Sequence, residues 1–315
     1  MIPLDEIIAA RERIAGAVLR TPLVRLQVLD APAEIYLKLE NLQPIGSFKL
    51  RGALNAVKQI PHSELAAGVV TASAGNMGQG LAWAAREVGV PCTVVVPESA
   101  AETKLASIER LGGTVLKVPY DQWWDAIATS STPAADGRFV HPVEDEAVMA
   151  GNGTIGIEIL EDLPDPDAIL VPFGGGGLSV GIASAVRALK PEVRVFAVEP
   201  EPAAALSASL AAGEPREVAG TPSFVDGSGA PRMLPKMWPL ARGVLDGAFP
   251  VPIDDAAAAV RLLVNRARIV AEGAGALALA AALAGRGGAG KVVCVVSGGN
   301  IDEAKLRTIL AGGTP

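Results

Sequence analysis

A lysine stands at the start of a helical pattern in the segment GSFKLRGALNAV, residues 46–57. Phe48 precedes this residue, Lys49, and Leu50 follows it. The helix dipole disfavours positive charge in the first turn of a helix. Two interpretations are open. Either the side chain lies on a solvated face together with Arg51, or its amine is kept uncharged and acts as a nucleophile or a base.

Four consecutive glycines, residues 174–177, follow the apolar run AILVPF and precede the amphipathic run LSVGIASAVRALK. Without Cβ atoms, their N–H groups can converge on an anion, and the N-terminus of the following helix adds its dipole. No Gly-Lys-Ser/Thr triplet follows, which disfavours a nucleoside triphosphate. The pattern predicts a phosphate site, and the alternative is a flexible hinge.

Polar loops follow three predicted strands. The run VVTA leads into SAGN (73–76), AILVPF into the glycine run (174–177), and VVCVV into SGGN (297–300). In open α/β sheets, ligands bind at the carboxyl ends of the strands. We therefore expect all three loops to lie at the same edge of a sheet and to form the functional site.

Strand-type runs alternate with helical runs from residue 68 onward. The strand-type runs are GVVTA, CTVVVP, TVLKVP, AILVPF, VRVFAVEP and KVVCVVSGG. They lack polar alternation, which is typical of parallel strands buried on both faces. The pattern predicts an amphipathic N-terminal helix, longer helices over 254–271 and 274–284, and loops with short helices over 200–250. The fold class is α/β.

Composition limits the functional classes. The chain has 315 residues and a net charge of −7, which argues against a nucleic-acid or anionic-membrane partner. The longest apolar stretch, 273–285, is shorter than the ~20 residues of a membrane helix. Cys92 and Cys294 lie in strand-type runs, which predicts that both are buried free thiols. We expect a soluble, cytoplasmic protein without a membrane segment.

Two further motifs fail in context. GNGTIG (151–156) matches a dinucleotide-binding pattern, but a helical run precedes it where a strand is required. GLSVG (177–181) matches a nucleophile elbow centred on Ser179. A hydrolase of that kind needs a histidine later in the chain, and the only histidines are His62 and His141. We interpret Ser179 as a helix-start residue and both histidines as structural.

A lysine beside an aromatic ring, a phosphate site and polar strand-end loops suggest pyridoxal phosphate as the cofactor. These motifs resemble those of the fold-type-II pyridoxal-phosphate enzymes, in the threonine/serine dehydratase and serine racemase group. SFKLRGA resembles the family's lysine segment, SAGNMGQG its substrate-carboxylate loop, GGGGL its phosphate loop and SGGN its ring-nitrogen loop. HPVEDEAVMAGNGTIGIEIL and VAEGAGA also resemble family segments, so the likeness covers about residues 21–302.

The resemblance implies a role for each site residue. Lys49 forms a Schiff base with the cofactor and removes the Cα proton, and Ser297 faces the ring nitrogen as a neutral partner. The other cofactor-binding residues are Phe48 and Gly227 at the ring, Asn76 at the ring hydroxyl, and Gly174, Gly175, Gly176, Gly177 and Leu178 at the phosphate. The substrate-binding residues are Ser73, Ala74, Asn76 and Met77.

The resemblance also implies a tryptophan synthase β-like fold, with two open parallel-sheet domains and flanking helices. Residues 1–66 and 145–315 would form the large cofactor-binding domain, and residues 67–144 the small domain that closes over the substrate. A homodimer is implied by the family alone. Since the last predicted helix ends shortly before Pro315, we expect no C-terminal effector domain.

Three positions depart from the family pattern. Ala74 stands where racemases have a serine, and alanine cannot donate a proton, so racemisation should be minor. Met77 stands where many relatives have histidine, and it either reshapes the substrate pocket or merely packs. Glu199 and Ala203 match two ligands of the family's cation site, but the third falls on Ala205. We therefore expect no metal, or a weak cation site.

The sequence thus predicts a pyridoxal-phosphate-dependent lyase that eliminates from β-hydroxy amino acids to give 2-oxo acids and ammonia. Threonine and serine are the expected substrates, and bulkier ones such as phenylserine are open. A serine at the ring nitrogen withdraws fewer electrons through the ring than an aspartate would, which favours prompt elimination. The alternatives are a β-replacement enzyme or an amino-acid racemase of the same fold, and a non-catalytic pyridoxal-phosphate-binding protein.

Overall fold

The computed structural model describes residues 1–315, and its strands form two sheets. The six-stranded sheet has the order β1 (Leu23–Arg25), β2 (Glu34–Leu39), β10 (Lys291–Val296), β7 (Ala168–Pro172), β8 (Arg194–Pro200) and β9 (Gly247–Val251). The four-stranded sheet has the order β5 (Thr114–Val118), β4 (Cys92–Pro97), β3 (Val69–Ala72) and β6 (Arg138–Phe139). All neighbouring strands are parallel except β1, which runs antiparallel to β2. The α/β class with two parallel-sheet units is confirmed.

Helices flank both sheets. They are α1 (Leu4–Ile14), α2 (Lys49–Gln59), α3 (Asn76–Val88), α4 (Glu102–Arg110), α5 (Tyr120–Thr129), α6 (Glu146–Asp162), α7 (Gly177–Leu189), α8 (Ala205–Ala212), α9 (Met237–Val244), α10 (Ile253–Leu262), α11 (Gly273–Leu283) and α12 (Glu303–Leu310). Short 3-10 turns lie at Glu40–Leu42, His62–Glu64 and Glu201–Ala203, and a π-helical turn at Leu263–Ala267. No helix combines the length and apolar character needed to span a membrane.

Hydrophobic cores lie on both faces of the six-stranded sheet. Helices α1, α6, α7 and α9 cover one face, and α10 and α11 cover the other. A third core joins α2 and α3 to the four-stranded sheet and also takes in Val148 of α6. Helix α2 packs against both α3 and α6. The first residue of α2, Lys49, is thereby placed between the two sheets.

The predicted strands and the N-terminal helix are all present, but the sequence pattern missed the short strands β1 and β6 as well as β2 and β9. Strand β2 carries Lys38, whose side chain is fully buried because it pairs with Glu158 at 2.6 Å. Strand β9 contains Pro250, which an edge strand tolerates. The predicted helix over 254–271 ends earlier, where Arg268 adopts a left-handed backbone conformation with φ of 61°.

A buried ion-pair network lies behind the start of α2. Arg51 donates to Glu40 (Nε–Oε2, 2.8 Å) and to Glu158 (Nη1–Oε1, 2.7 Å). Burial acts to raise the pKa of Glu40, but the Arg51 guanidinium holds it below its ordinary value. Because Arg51 is only 1% exposed, the interpretation that Lys49 and Arg51 share a solvated face is wrong. The network instead fixes the first turn of α2 against β2 and α6.

The glycines of the dinucleotide-like motif lie inside α6 and serve close helix packing. A Cβ at Gly151 would lie 2.5 Å from the carbonyl oxygen of Arg51, and one at Gly153 would lie 2.9 Å from that of Gly181. Ser179 lies in the first turn of α7, where its hydroxyl donates to the Gly176 carbonyl at 3.2 Å. Both motifs are therefore parts of the scaffold. Cys92 and Cys294 are buried free thiols, as predicted.

Candidate active site

The three polar loops meet, although they do not share one sheet edge. Strands β7 and β10 are neighbours in the six-stranded sheet, whereas β3 belongs to the four-stranded sheet. The prediction of a single edge is therefore wrong for the loop after β3. The loops meet across the two sheets, because Asn300 Nδ2 donates to Asn76 Oδ1 at 2.8 Å. The site is a cleft between the carboxyl ends of two sheets.

Lys49, the first residue of α2, is partly buried, and its amine has no acidic partner. Its Nζ donates to the carbonyl oxygen of Pro142 at 3.1 Å and lies 5.2 Å from the centre of the Phe48 ring. It forms no salt bridge. Burial lowers the pKa of Lys49 to about 8, although the charge of Glu272 acts in the opposite direction. The amine therefore loses its proton far more readily than an ordinary lysine.

The loop after β10 is hydrogen-bonded to the segment that precedes α2. The N–H of Phe48 donates to the carbonyl of Ser297 at 3.1 Å, and the N–H of Gly299 donates to that of Gly46 at 2.8 Å. Gly46 has a φ of 75°, and a Cβ there would lie 2.5 Å from Asn300 Oδ1, so only glycine fits. Ser297 is 3% exposed, and its hydroxyl forms no hydrogen bond within the chain. That hydroxyl is free for a ligand.

The glycine run forms an anion cradle at the N-terminus of α7. The N–H groups of Gly174, Gly175 and Gly176 donate no hydrogen bond within the chain. Gly177 and Leu178 begin α7, whose first N–H groups have no partner inside the helix. These unpaired donors and the helix dipole are what a phosphate group requires.

The segment 227–229 lies beside this cradle. Ser228 Oγ and the N–H of Gly229 both donate to the carbonyl of Phe173, at 2.6 and 3.0 Å, which anchors the segment at the end of β7. A Cβ at Gly174 would lie 3.5 Å from the carbonyl oxygen of Gly227, and one at Gly227 would lie 3.4 Å from Glu272 Oε1. Gly227 therefore lies between the cradle and Glu272.

Contacts connect the predicted residues into a closed ring. Val143, the neighbour of Pro142, lies against the cradle, since a Cβ at Gly175 would meet Val143 Cγ2 at 2.5 Å. Gly298, the neighbour of Ser297, lies against Glu272, since a Cβ there would meet Glu272 Oε1 at 2.4 Å. The tertiary structure thus gathers the sequence-predicted residues around one space: Lys49, Phe48, Ser297, Asn76, Gly227 and the cradle.

The loop between β3 and α3 presents small side chains at this space. The Ser73 hydroxyl accepts from the N–H of Gly75 at 3.3 Å, and Ala74 is partly buried. Met77 is 1% exposed and belongs to the hydrophobic core with Leu81. Of the two alternatives for Met77, the geometry favours packing.

The two matching positions of the family's cation site are already engaged within the chain. The Glu199 carboxylate accepts from the N–H groups of Leu206 and Ser207 and from Ser207 Oγ, at 2.9, 2.8 and 2.7 Å. The Ala203 carbonyl accepts from the N–H of Ala230 at 3.2 Å. No group of three His, Cys, Asp or Glu side chains is placed to hold a metal ion.

His141 holds the loop that carries Pro142. Its Nδ1 accepts from the N–H groups of Val143 and Glu144 at 3.0 and 2.8 Å, so its Nε2 carries the proton and donates to the Ile127 carbonyl at 3.1 Å. Burial lowers the pKa of His141 to about 4, which keeps the ring neutral. The structural role predicted for His141 thus includes placing the acceptor of the Lys49 amine.

Glu272 is the site residue that sequence reasoning missed. Its Oε1 accepts from Asn76 Nδ2 at 2.7 Å, and it is 8% exposed. Burial, and after it the charge of Asp226, raises the pKa of Glu272 to about 7. The family-like segment VAEGAGA contains this residue, and that was the only available signal.

The site fits pyridoxal phosphate on three structural grounds. The cradle offers unpaired N–H groups for a phosphate, Lys49 offers a readily deprotonated amine, and Ser297 offers a free hydroxyl. Fold and site together define the class of two-sheet α/β proteins that bind a phosphorylated cofactor between the sheets.

Comparison with known proteins gives the family. A family model described as pyridoxal-phosphate dependent enzyme matches residues 14–298. The chain is 40% identical over 318 residues to L-threonine ammonia-lyase of Thermotoga maritima, covering 99% of this chain and 79% of that protein. It belongs to the pyridoxal-phosphate-dependent enzyme family, and its cofactor is pyridoxal phosphate.

Solved structures of similar fold support this family. The threonine deaminase isoform 2 of Solanum lycopersicum, in its processed form, matches with a TM-score of 0.87 and 30% identity, covering 98% of this chain and 87% of that one. The serine racemase of Dictyostelium discoideum matches with a TM-score of 0.85 and 34% identity, covering 96% of this chain and 99% of that one. A deaminase and a racemase are therefore both found among proteins of this fold.

Proposed function

We propose that this chain is an ammonia-lyase that converts β-hydroxy amino acids, threonine and serine first, to 2-oxo acids and ammonia by α,β-elimination. The observation that carries the proposal is the amine of Lys49. It is partly buried, has no carboxylate partner, and donates to the Pro142 carbonyl at 3.1 Å. The named activity of the Thermotoga maritima relative supports the same reaction.

The cofactor-holding roles follow from the contacts around the cleft. Gly174, Gly175, Gly176, Gly177 and Leu178 would hold the phosphate through their N–H groups. Phe48 and Gly227 would lie at the two faces of the ring, Asn76 at its hydroxyl, and Ser297 at its nitrogen. The substrate carboxylate would be held by the segment Ser73, Ala74, Asn76 and Met77.

When bound, pyridoxal phosphate withdraws electrons from the Cα of the amino acid and so acidifies its Cα proton. Lys49 takes that proton, since burial lowers the pKa of its amine to about 8 and leaves a larger share of it unprotonated near neutral pH than in an ordinary lysine. The hydrogen bond from Lys49 Nζ to the Pro142 carbonyl would orient the amine. Lys49 would then pass this proton to the departing β-hydroxyl, which leaves as water. Ala74 has no hydroxyl that could return a proton to Cα, which favours this loss over racemisation.

Three wider features belong to the proposal. Residues 67–144, which contain the four-stranded sheet, would move as a small domain and close over the substrate, against a large domain of 1–66 and 145–315. The division leaves α2 in the large domain although α2 also packs on α3. A cytoplasmic location and a homodimeric assembly stay predictions.

The test is the visible absorption spectrum of the purified holoenzyme before and after addition of L-threonine, with Lys49→Ala in parallel. We expect the band of the lysine-bound cofactor to change on addition of threonine, followed by release of 2-oxobutanoate. Lys49→Ala should lack both. A chiral assay for D-threonine and D-serine, and an added thiol nucleophile, separate elimination from racemisation and β-replacement.

If the absorption band does not change on addition of threonine or serine, the substrate would instead be a bulkier β-hydroxy amino acid such as phenylserine. Product that appears only when a nucleophile is added would replace elimination by β-replacement. D-amino acid formed faster than 2-oxo acid would overturn the argument from Ala74.

A further inference from the structure

A buried carboxylate faces the cleft without any evident structural duty. Glu272 directly precedes α11 in the N-cap position, yet its side chain caps none of the helix N–H groups. It forms no salt bridge, and it is 8% exposed. Burying an unpaired carboxylate is unfavourable. Neither helix capping nor ion pairing explains why the Glu272 carboxylate is buried here.

The one side chain that Glu272 binds is Asn76. Asn76 Nδ2 donates to Glu272 Oε1 at 2.7 Å, while Asn76 Oδ1 accepts from Asn300 Nδ2 at 2.8 Å. Asn300 Nδ2 also donates to the Ile45 carbonyl at 2.9 Å. An acceptor on one side and a donor on the other fix which end of the Asn76 amide is oxygen and which is nitrogen.

The network crosses the cleft. Asn76 is the first residue of α3 and follows the four-stranded sheet, whereas Glu272 and Asn300 lie in segments attached to the six-stranded sheet. An amide nitrogen has two hydrogens, and Glu272 takes one of them. One N–H of Asn76 is left for a ligand in the cleft.

We propose that Glu272 is a positioning residue for the cofactor: it holds the Asn76 amide so that its remaining N–H binds the ring hydroxyl of pyridoxal phosphate. Asn300 is its counterpart at the amide oxygen. The inference rests on the proposed function, which assigns Asn76 to the ring hydroxyl. Glu272 would act through Asn76 and would not contact the substrate.

If Glu272 acts through its hydrogen bond to Asn76, cofactor binding should depend on the ionisation of Glu272. A role in packing alone would give no such pH dependence. The ionised carboxylate accepts more strongly than the acid, so the hold on Asn76 should tighten as the pH rises through about 7. The charged groups that face Glu272 are Asp226, Lys104 and Lys49, and Lys305 pairs with Asp226. Lys49 itself titrates near 8, so wild type is compared with a variant that changes Glu272 alone.

The experiment uses the holoenzyme and two variants, Glu272→Gln and Glu272→Ala, with Glu87→Gln as control. Glu87 is exposed on the same helix as Asn76. The readouts are the dissociation constant of pyridoxal phosphate and the spectrum of the bound cofactor across pH 6 to 8.5. Glu272→Gln keeps an acceptor oxygen, so its affinity for pyridoxal phosphate should stay within about 3-fold of wild type at pH 6. The change in affinity that wild type shows near pH 7 should be absent from this variant. Glu272→Ala should weaken affinity about 10-fold and alter the spectrum.

A Glu272→Ala protein with wild-type affinity and spectrum would overturn the proposal, as would a Glu272→Gln protein that keeps the step near pH 7. Both readouts concern the bound cofactor and need no turnover. If the holoenzyme forms but releases no 2-oxobutanoate, the proposed function fails while these measurements still decide the role of Glu272.

Discussion

The amine of Lys49 donates a hydrogen bond to the carbonyl of Pro142 at 3.1 Å, and the two residues are 93 positions apart in the chain. Pro142 lies in the crossing from the four-stranded sheet to α6, where His141 binds two following N–H groups. The lysine proposed as the base is thus oriented by a loop that depends on a neutral histidine.

His141→Ala should lower kcat about 10-fold with little change in KM. The substitution leaves the N–H groups of Val143 and Glu144 without their acceptor, which costs about 1–3 kcal/mol, and releases the Pro142 carbonyl. His141→Asn should recover part of the loss, because an asparagine side chain accepts from the N–H two residues on. His62→Ala, at an exposed position, serves as the control. Equal activity of His141→Ala and His62→Ala would remove His141 from this role.

The contribution of His141 to stability should fall as the pH drops below about 6.5, whereas Glu272, whose pKa is raised to about 7, contributes in the opposite direction over the same range. The pKa of His141 is lowered from 6.5 to about 4 in the folded chain, so between these values the unfolded chain binds a proton that the folded chain does not. This linkage amounts to about 2 kcal/mol between pH 7 and pH 5. Urea unfolding at both pH values measures it. Comparison with His141→Asn isolates this contribution: on going from pH 7 to pH 5, the free energy of unfolding of the variant should change more favourably than that of wild type by that amount.

Gly175→Ala should weaken binding of pyridoxal phosphate about 10-fold or more, since its Cβ would lie 2.5 Å from Val143 Cγ2 and displace the cradle. Gly243→Ala is the matched control. Gly243 lies in α9, and a Cβ there meets nothing within 4 Å. That change should raise stability by about 0.5–1 kcal/mol and leave affinity untouched. Cofactor titration followed by absorbance compares the two variants, and equal affinities would speak against the cradle.

Ala74→Ser should increase the ratio of racemisation to elimination. The hydroxyl provides a proton donor that alanine lacks, placed in the loop between β3 and α3. Chiral analysis of serine alongside a pyruvate assay measures the ratio. Ala74→Gly controls for the change of shape, because it adds no donor. A serine variant that racemises no faster than the glycine variant contradicts the argument.

Arg51→Met should destabilise the chain by about 3–5 kcal/mol, because it leaves Glu40 and Glu158 buried without the cation that pairs with both. Arg86→Met, at an exposed position of α3, should change stability by less than about 0.5 kcal/mol. Urea unfolding of the apoprotein tests both. An Arg51→Met protein as stable as wild type would show that Lys38 alone neutralises the two carboxylates.

Much of the site could be predicted from the sequence, because it depends on local chemistry. A lysine after an aromatic residue at a helix start, four glycines between a strand and a helix, and polar residues at strand ends are properties of short segments. The strand and helix periods likewise indicated the α/β class. Strand β2 escaped detection because Lys38 is buried there by a partner 120 positions away, which no local pattern reveals.

Only the tertiary structure decided how these segments combine. It separated β3 from β7 and β10 into a second sheet and brought their loops together across a cleft, where Asn76 meets Asn300. It placed the Pro142 carbonyl on Lys49 and Glu272 on Asn76. The physical reason is that the sequence determines which groups a segment carries, whereas hydration and partners, and with them the basicity of Lys49, depend on segments far apart in the chain.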